Sequence, residues 1–476
     1  MYEATVDAAT ANRLAGEGYE IVSTEQVQGG VRIVLVLYPW ERKAIEKQGI
    51  DVALWTNTEG VTATELARQQ RDVGFKVFQD YDGSDGVRAY LDEIAAANPD
   101  LLKLEVIGET HGTDPEGDGA DTPREIVALR LTADANSVPD NSRPATLYTS
   151  LQHAREWISV EVNQRLLEWL IKMYREDRRE IVNLLQTTEL WFVLVANPDG
   201  YQYTFDYDRL WRKNLRDNDG DNRITPNDGV DPNRNFPVHW NFDDEGSASI
   251  TADQTYRGPA PASEPETEAL IGLYDRVDFR FHVNYHSFGE LLLYSFGFQL
   301  NTPSADDPIF VALSGTDDKP AIDGYNPGVG GDLYMTNGET TDYAHAVGGA
   351  LGWTPELGTA RTTMVSCFPD KEGQVQAEFS KNLPFALSVA QSTADPDDPV
   401  SHTRIETEPF YLNVAEIDPK EELEPDERLP VRALLRRRRP AGAGAGEARH
   451  RRGRRGRSGH AALLGQRRGP GHRAHR

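Results

Sequence analysis

Ala145-Thr146-Leu147-Tyr148-Thr149-Ser150-Leu151-Gln152-His153-Ala154-Arg155-Glu156 runs directly into the apolar stretch from Trp157 to Arg175. Its first half is β-branched and apolar and reads as a buried strand ending near Leu151. Its continuation repeats apolar residues at helical spacing, so a strand feeds a long helix through a short polar turn. The same alternation recurs on both sides. Glu125 to Leu131 and Trp191 to Val195 read as buried strands, and Pro265 to Arg276 reads as a helix. This pattern predicts an α/β domain with a mixed, largely parallel central sheet and helices on both faces, over residues 78–395.

The turn itself carries chemistry. A neutral imidazole at His153 and a carboxylate at Glu156, three residues apart at a strand-to-helix junction, can reach one metal ion. Alone, such a pair is more often a surface pair. A second signal lies 133 residues downstream, in Phe281-His282-Val283-Asn284-Tyr285-His286-Ser287 at the end of another apolar strand. His286 would complete a His2Glu set with one position left for water. His282 is the alternative ligand, although a histidine inside an apolar strand is more often packed.

These residues resemble the zinc metallocarboxypeptidases of the carboxypeptidase A type, across roughly residues 80 to 395. Further blocks carry the resemblance: Asn197-Pro198-Asp199-Gly200-Tyr201, Trp211-Arg212-Lys213-Asn214, Gly229 to Asn235, and Tyr334 followed by Asp342 and Glu356. It implies one zinc ion held by His153, Glu156 and His286, with Glu356 as general base. It implies Asn233 and Arg234 on the substrate's terminal carboxylate, Tyr334 closing over the substrate, and Asp231 behind His153. The oxyanion arginine is expected from the segment after Trp211. The position the resemblance points to is Leu215, so a shifted Arg216 is the first expectation and Arg212 the second. Thr341 matches the floor of the pocket for the C-terminal side chain, with Glu339 nearby. His286-Ser287-Phe288 stands where the family often has a tyrosine third.

The implied activity is hydrolysis of C-terminal peptide bonds in peptides and proteins. The alternatives are a zinc peptidase or amidase acting on cell-wall peptides or small amides, and a catalytically silent peptide-binding protein; the presence of Glu356 speaks against the last. Asp217, Asp219 and Asp221 alternate around Gly220 as in an oxygen-ligand calcium loop, against the plainer reading of an exposed acidic turn.

Composition frames the rest. Of 476 residues, 50 are basic and 76 acidic, for a net charge of −26. A single cysteine, Cys367, excludes an intrachain disulfide framework, and no run of about 18 apolar residues offers a membrane span. The charge is uneven. Residues 431–476 hold 15 arginines and one acid, Glu447, leaving 35 basic and 75 acidic residues before them. So acidic a body would repel nucleic acid. The arginine-rich segment fits a basic arm, a disordered tail or a change of reading frame in a gene rich in G and C.

Residues 1–77 read as a small ferredoxin-like β-α-β-β-α-β module followed by a linker from about 57, resembling a pro-region or accessory domain. Folding over the substrate funnel is the expected role. Residues 396–430, with Pro409-Phe410-Tyr411-Leu412-Asn413-Val414, read as the start of a C-terminal β module. The chain begins without the basic and apolar regions of a secretory signal. The resemblance nevertheless points to an extracellular monomer.

Overall fold

The computed structural model describes residues 1–17, 19–56, 60–73, 78–244, 246–300, 302–333, 335–358 and 372–400. The expected β module beyond residue 400, the arginine-rich segment 431–476 and Tyr334 therefore lie outside the described residues.

The N-terminal elements are β1 (Tyr2–Val6), α1 (Ala8–Gly16), β2 (Glu20–Val27), β3 (Gly30–Val36), α2 (Pro39–Lys47) and β4 (Ala53–Leu54). They form an antiparallel sheet in the order β2-β3-β1-β4. Alternation along β3 buries Ile33 and Leu35 against Leu14 of α1 and Ile45 of α2. A linker was expected next, but residues Ala63–Val73 form a helix, α3. Thr62 caps it by accepting the Glu65 amide at 3.1 Å. Thr62-Ala63-Thr64-Glu65 is the sequence signature of such a start.

The large domain adds α4 (Val87–Ala97), β5 (Leu102–Glu109), β6 (Glu125–Leu131), β7 (Ala145–Ser150), α5 (Trp157–Arg175), α6 (Arg179–Thr187), β8 (Glu189–Val193), α7 (Pro198–Asp206) and α8 (Pro265–Tyr274). After these come β9 (Phe279–Tyr285), β10 (Leu291–Tyr294), α9 (Asp307–Ser314), a short ribbon of β11 (Gly315–Thr316) and β12 (Lys319–Pro320), and β13 (Asn326–Val329). The series closes with α10 (Gly330–Leu333), α11 (Thr340–Ala346), β14 (Leu351–Glu356) and α12 (Glu372–Ser392). Eight strands make one mixed sheet in the order β13-β10-β14-β9-β7-β8-β6-β5. Its centre, β14-β9-β7-β8, is parallel, and β6 and β5 continue it antiparallel.

Both faces are covered, as near-continuous apolar strands require. Tyr148, Phe192, Leu129 and Val283 meet α5 and α12 on one side, while Leu147, Trp191, Val193 and Ala128 meet α8 and α11 on the other. Period-two alternation on β7, β8 and β6 sends neighbouring residues to opposite cores. No helix among the described residues is long and apolar enough to cross a membrane.

The N-terminal module touches the large domain near the loop that follows β7. Gln254 Nε2 donates to the Val36 carbonyl at 3.1 Å, and Met1 and Trp55 pack with Ala63 and Leu210. Glu41 of α2 is buried beside Lys213 and Asp253 of the large domain, and burial pushes its carboxyl up to about 7. The folded chain thus keeps a proton on Glu41 that the unfolded chain releases near its ordinary value of 4.5. Its contribution to stability is complete below that value and is lost as pH rises through 7. Glu41→Gln keeps the acceptor for the Tyr38 amide and removes the charge. Thermal melts of this variant should vary less with pH between 5 and 8 than those of the parent, with the gain in Tm largest at pH 8.

Candidate metal centre and active site

The parallel centre of the sheet fixes where chemistry can sit, because side chains following the carboxyl ends of adjacent parallel strands converge on one rim. His153 and Glu156 follow β7, Asn197 follows β8, His286 follows β9, and Glu356 ends β14. His286 and Glu356 are stitched together by backbone bonds, His286 N to Pro355 O at 3.0 Å and Leu357 N to His286 O at 2.9 Å.

Between β7 and α5 the chain reverses at Leu151, which takes a left-handed backbone at φ 53°. The Asn197 side chain then clamps the turn. It donates to the carbonyls of Gln152 and Lys213 and accepts the Gly200 amide. A Cβ at Gly200 would meet the Lys213 carbonyl at 2.5 Å, so the Asn197-to-Tyr201 block must carry glycine there. The Ala154 amide donates to the Arg212 carbonyl at 3.0 Å, tying the loop from Trp211 to the same turn.

The three expected ligands meet. His153 Nδ1 and His286 Nδ1 are 3.0 Å apart, and Glu156 places Oε1 2.8 Å from the first and Oε2 2.9 Å from the second. All three side chains are buried. Burial opposes a charge on Glu156, but the two histidines hold its carboxyl well below the usual range. Two imidazole nitrogens and a carboxylate facing one point, with the other ring nitrogens engaged from behind, suit zinc. His282 is not at this point. It is buried between Thr149 Oγ1 and Tyr274 OH, each 2.7 Å from a ring nitrogen, and burial pushes it down to about 3.

Asp231 is the support behind His153. Its Oδ1 lies 3.1 Å from His153 Nε2 and accepts the Asn233 amide at 2.9 Å. Its Oδ2 accepts from Arg212 Nε at 2.9 Å, with NH2 at 2.8 Å. The structure thus brings Arg212 to the centre, its NH1 4.0 Å from Glu156 Oε1. Arg216, the first expectation, is directed elsewhere. It pairs with Glu264 at 3.2 Å, in a group where Glu264 also takes Asn214 Nδ2 and contacts His111. A buried carboxylate therefore draws the flexible cation away from the rim.

Asn233 and Arg234 follow on one short 3-10 turn, Pro232–Arg234. Asn233 Oδ1 accepts from Thr340 N at 3.0 Å and Thr340 Oγ1 at 2.8 Å, which turns its amide nitrogen the other way. Arg234 is buried, donates to the Asn233 and Gly246 carbonyls, and has NH1 3.6 Å from Glu339 Oε1. Thr341 is buried in the first turn of α11, and its carbonyl accepts from Ser295 Oγ. Behind it Asp342, which the sequence reading left without a role, accepts the Gly297 amide. Burial and Glu339 keep its carboxyl protonated well above the usual range. Glu356 is half-buried at the end of β14, and burial together with Glu156 pushes it up to about 8. A dication on the three ligands acts in the opposite sense.

The acidic loop behaves differently. The ligand atoms of Asp217, Asp219 and Asp221 lie within 4.8 Å of one another. However, Asp217 already accepts the amides of Asp219, Gly220 and Asn222. These bonds close the turn, and one part-buried and two exposed carboxylates alone do not make a calcium site. Residues the sequence reading passed over also reach the centre. Gln152 in the turn after β7, Asn284 on β9 and Thr340 in α11 hydrogen-bond to one another or to the site, and nothing in an isolated polar residue signals this.

The sequence profile of the zinc carboxypeptidase family matches residues 87–382. Carboxypeptidase A4 of Mus musculus is 27% identical over 326 residues, 66% of this chain and 72% of its own length. Carboxypeptidase B of Rattus norvegicus is 28% identical over 284 residues, 58% of this chain and 63% of its own. A metallocarboxypeptidase A-like protein of Trichophyton verrucosum is 28% identical, and the match spans 60% of its length. Among solved structures, carboxypeptidase A from Helicoverpa armigera superposes with a TM-score of 0.61 at 23% identity, covering 83% of this chain and 97% of that one. Thrombin activatable fibrinolysis inhibitor gives 0.60 at 20% identity, covering 83% and 98%. These superpositions speak to the fold alone.

Asp231→Asn tests the support behind His153. The substitution leaves Arg212 buried without its anion and weakens the acceptor for His153 Nε2. Zinc affinity, measured by competition with a chromogenic chelator, should fall about 10–100-fold.

Proposed function

Because the chain belongs to the zinc carboxypeptidase family, we propose that it removes single residues from the C-termini of peptides and proteins. One observation carries this reading: Asp231, Asn233 and Arg234 occupy a single short turn, so the element that supports a metal ligand also presents a paired amide and guanidinium. A planar guanidinium is suited to a terminal carboxylate through parallel hydrogen bonds. The distance between that carboxylate and the scissile bond is thereby set by the turn.

His153, Glu156 and His286 would hold a zinc ion, which would supply Lewis acidity and lower the pKa of a bound water. Glu356 takes the proton of the attacking water on its carboxylate and returns it to the leaving nitrogen. Arg212, held by Asp231 through Nε and NH2, would offer NH1 to the carbonyl oxygen as negative charge grows there. Loss of such a donor costs about 2.7–4 kcal/mol in the transition state. Asn233 and Arg234 hold the terminal carboxylate. Thr341 gives the side-chain pocket no charge, and Glu339 sits beside Arg234, so we assign a broad preference for the C-terminal residue. An extracellular monomer is the setting this reading implies.

The N-terminal module is assigned a covering role. Gln254 bridges its Val36 carbonyl to Arg155 NH1, two residues from His153. Cleavage between residues 74 and 77 should raise activity toward a blocked dipeptide. Equal activity of the intact and cleaved chains would refute an inhibitory module.

Blocked dipeptides with free or amidated C-termini separate the exopeptidase from an amidase acting on small amides or cell-wall peptides. The expected result is cleavage of the free acids alone, abolished by a zinc chelator. Glu356→Gln should lower kcat by about 10²–10⁴-fold while leaving zinc content unchanged. Equal cleavage of amidated substrates would favour the amidase, and a fully active Glu356→Gln would remove the general base from the mechanism.

A further inference from the structure

Behind the third ligand lies a chain of buried side chains that the peptidase reading does not use. His286 Nε2 is 2.9 Å from the Asn284 amide, and that same end of the amide is 2.7 Å from Gln152. The other end of Asn284 is 2.6 Å from Thr149 Oγ1. Thr149 Oγ1 continues to His282 Nε2 at 2.7 Å, and His282 Nδ1 to Tyr274 OH at 2.7 Å. On the other branch Gln152 meets Thr340 Oγ1 at 2.7 Å, and Thr340 Oγ1 meets Asn233 Oδ1 at 2.8 Å. Gln152, Thr149, His282, Asn284 and Thr340 are each at most 1% exposed. Water is thus kept from supplying a missing donor or acceptor, and each hydrogen bond constrains the next.

Counting protons along the chain gives two self-consistent states. In one, His286 Nε2 is an acceptor. Asn284 then donates its NH2 to His286 and Gln152, its carbonyl accepts from the Thr149 hydroxyl, His282 carries its proton on Nε2, and Thr340 donates to Asn233. In the other, His286 binds a metal through Nδ1, so a neutral ring must carry its proton on Nε2. Asn284 must now present its carbonyl to that proton and its NH2 to Thr149. Thr149 donates to His282 Nε2, and the His282 proton moves to Nδ1. Gln152 reverses as well, its NH2 on Asn284 and its carbonyl on Thr340, which takes the Thr340 hydroxyl away from Asn233.

We infer that Asn284, Thr149 and Gln152 are positioning residues forming a relay in which metal loading at His286 reverses the hydrogen bonds as far as His282 and Asn233. Asn284 acts on the metal through His286, and Gln152 with Thr340 carries the metal's state to the residue placed on the substrate carboxylate. The inference rests on His286 being a metal ligand, as the peptidase reading holds.

The readout is the tautomer of His282, seen by nitrogen NMR of the full chain labelled at histidine, before and after one equivalent of zinc is added to metal-free protein. The expected result is a neutral His282 that passes from the Nε2–H to the Nδ1–H form as zinc binds. Thr149→Val should bind zinc and leave His282 unresponsive, and Thr149→Ser should restore the response. Asn284→Leu should lose about 10–100-fold in zinc affinity. Asn284→Asp, which keeps an acceptor for His286 Nε2–H, should stay within about threefold of the parent. Zinc that binds with His282 unchanged overturns the relay and leaves the metal site standing. Parent-like zinc affinity in a folded Asn284→Leu overturns the role of Asn284. Failure of zinc to perturb His153 and His286 would instead defeat the metal site itself, and the relay with it.

Discussion

One buried carboxylate organises the catalytic end of this molecule. Asp231 has no solvent contact, so its charge survives only because four donors surround it: His153 Nε2, the Asn233 amide and two nitrogens of Arg212. Burial works against that charge, yet Arg212 and His153 hold the carboxyl far below the usual range. Breaking a buried pair of this kind typically costs about 3–5 kcal/mol, because the surviving partner is left desolvated and unpaired. The demand to satisfy Asp231 therefore fixes the tautomer and angle of His153. It also fixes the direction of the rim arginine and the start of the turn that carries Arg234.

The sheet supplies the second constraint. His153 and His286 are 133 residues apart in the chain, and only parallel pairing of β7 with β9 brings their strand ends together. The register sets Thr149 beside Asn284 and Ser150 beside Tyr285, so the residues just beyond each strand emerge side by side. Adding β14 parallel to β9 brings Glu356 to the same rim. A one-residue slip in either pairing would send alternate side chains into the opposite core. The continuous apolar packing on both faces makes such a slip costly, and the precision of the site follows from the depth of the two cores.

Legibility in the sequence followed from how each residue does its work. That His153, Glu156, His286 and Glu356 meet at one rim was legible because ligand-type side chains at the ends of particular strands leave local patterns. Arg212 against Arg216 was not readable. Both lie in one irregular loop, and the choice is made by two buried acids, Asp231 and Glu264, that are distant in sequence. The helix α3 was missed although its Thr62-to-Glu65 cap stood in plain view, since its apolar face is built on small residues such as Ala63 and Ala67 within a stretch that is polar on average. The contacts among Gln152, Asn284 and Thr340 join a turn, a strand and a helix far apart in the chain, and left no local trace.

The acidity of the chain bears on how a substrate finds this site. A terminal carboxylate approaching a body with 75 acids among its first 430 residues meets repulsion at long range. Electrostatic steering therefore cannot drive its capture. Attraction must be short-ranged and strong, which is achieved by burying the cation rather than exposing it. At 2% exposure Arg234 acts in a medium where charge–charge interaction is several-fold stronger than in water. Glu339, 3.6 Å from it, stabilises the guanidinium while no substrate is present. On the reading proposed above, a carboxylate arriving at Arg234 must then compete with that acid whatever the C-terminal side chain, which accords with a broad preference.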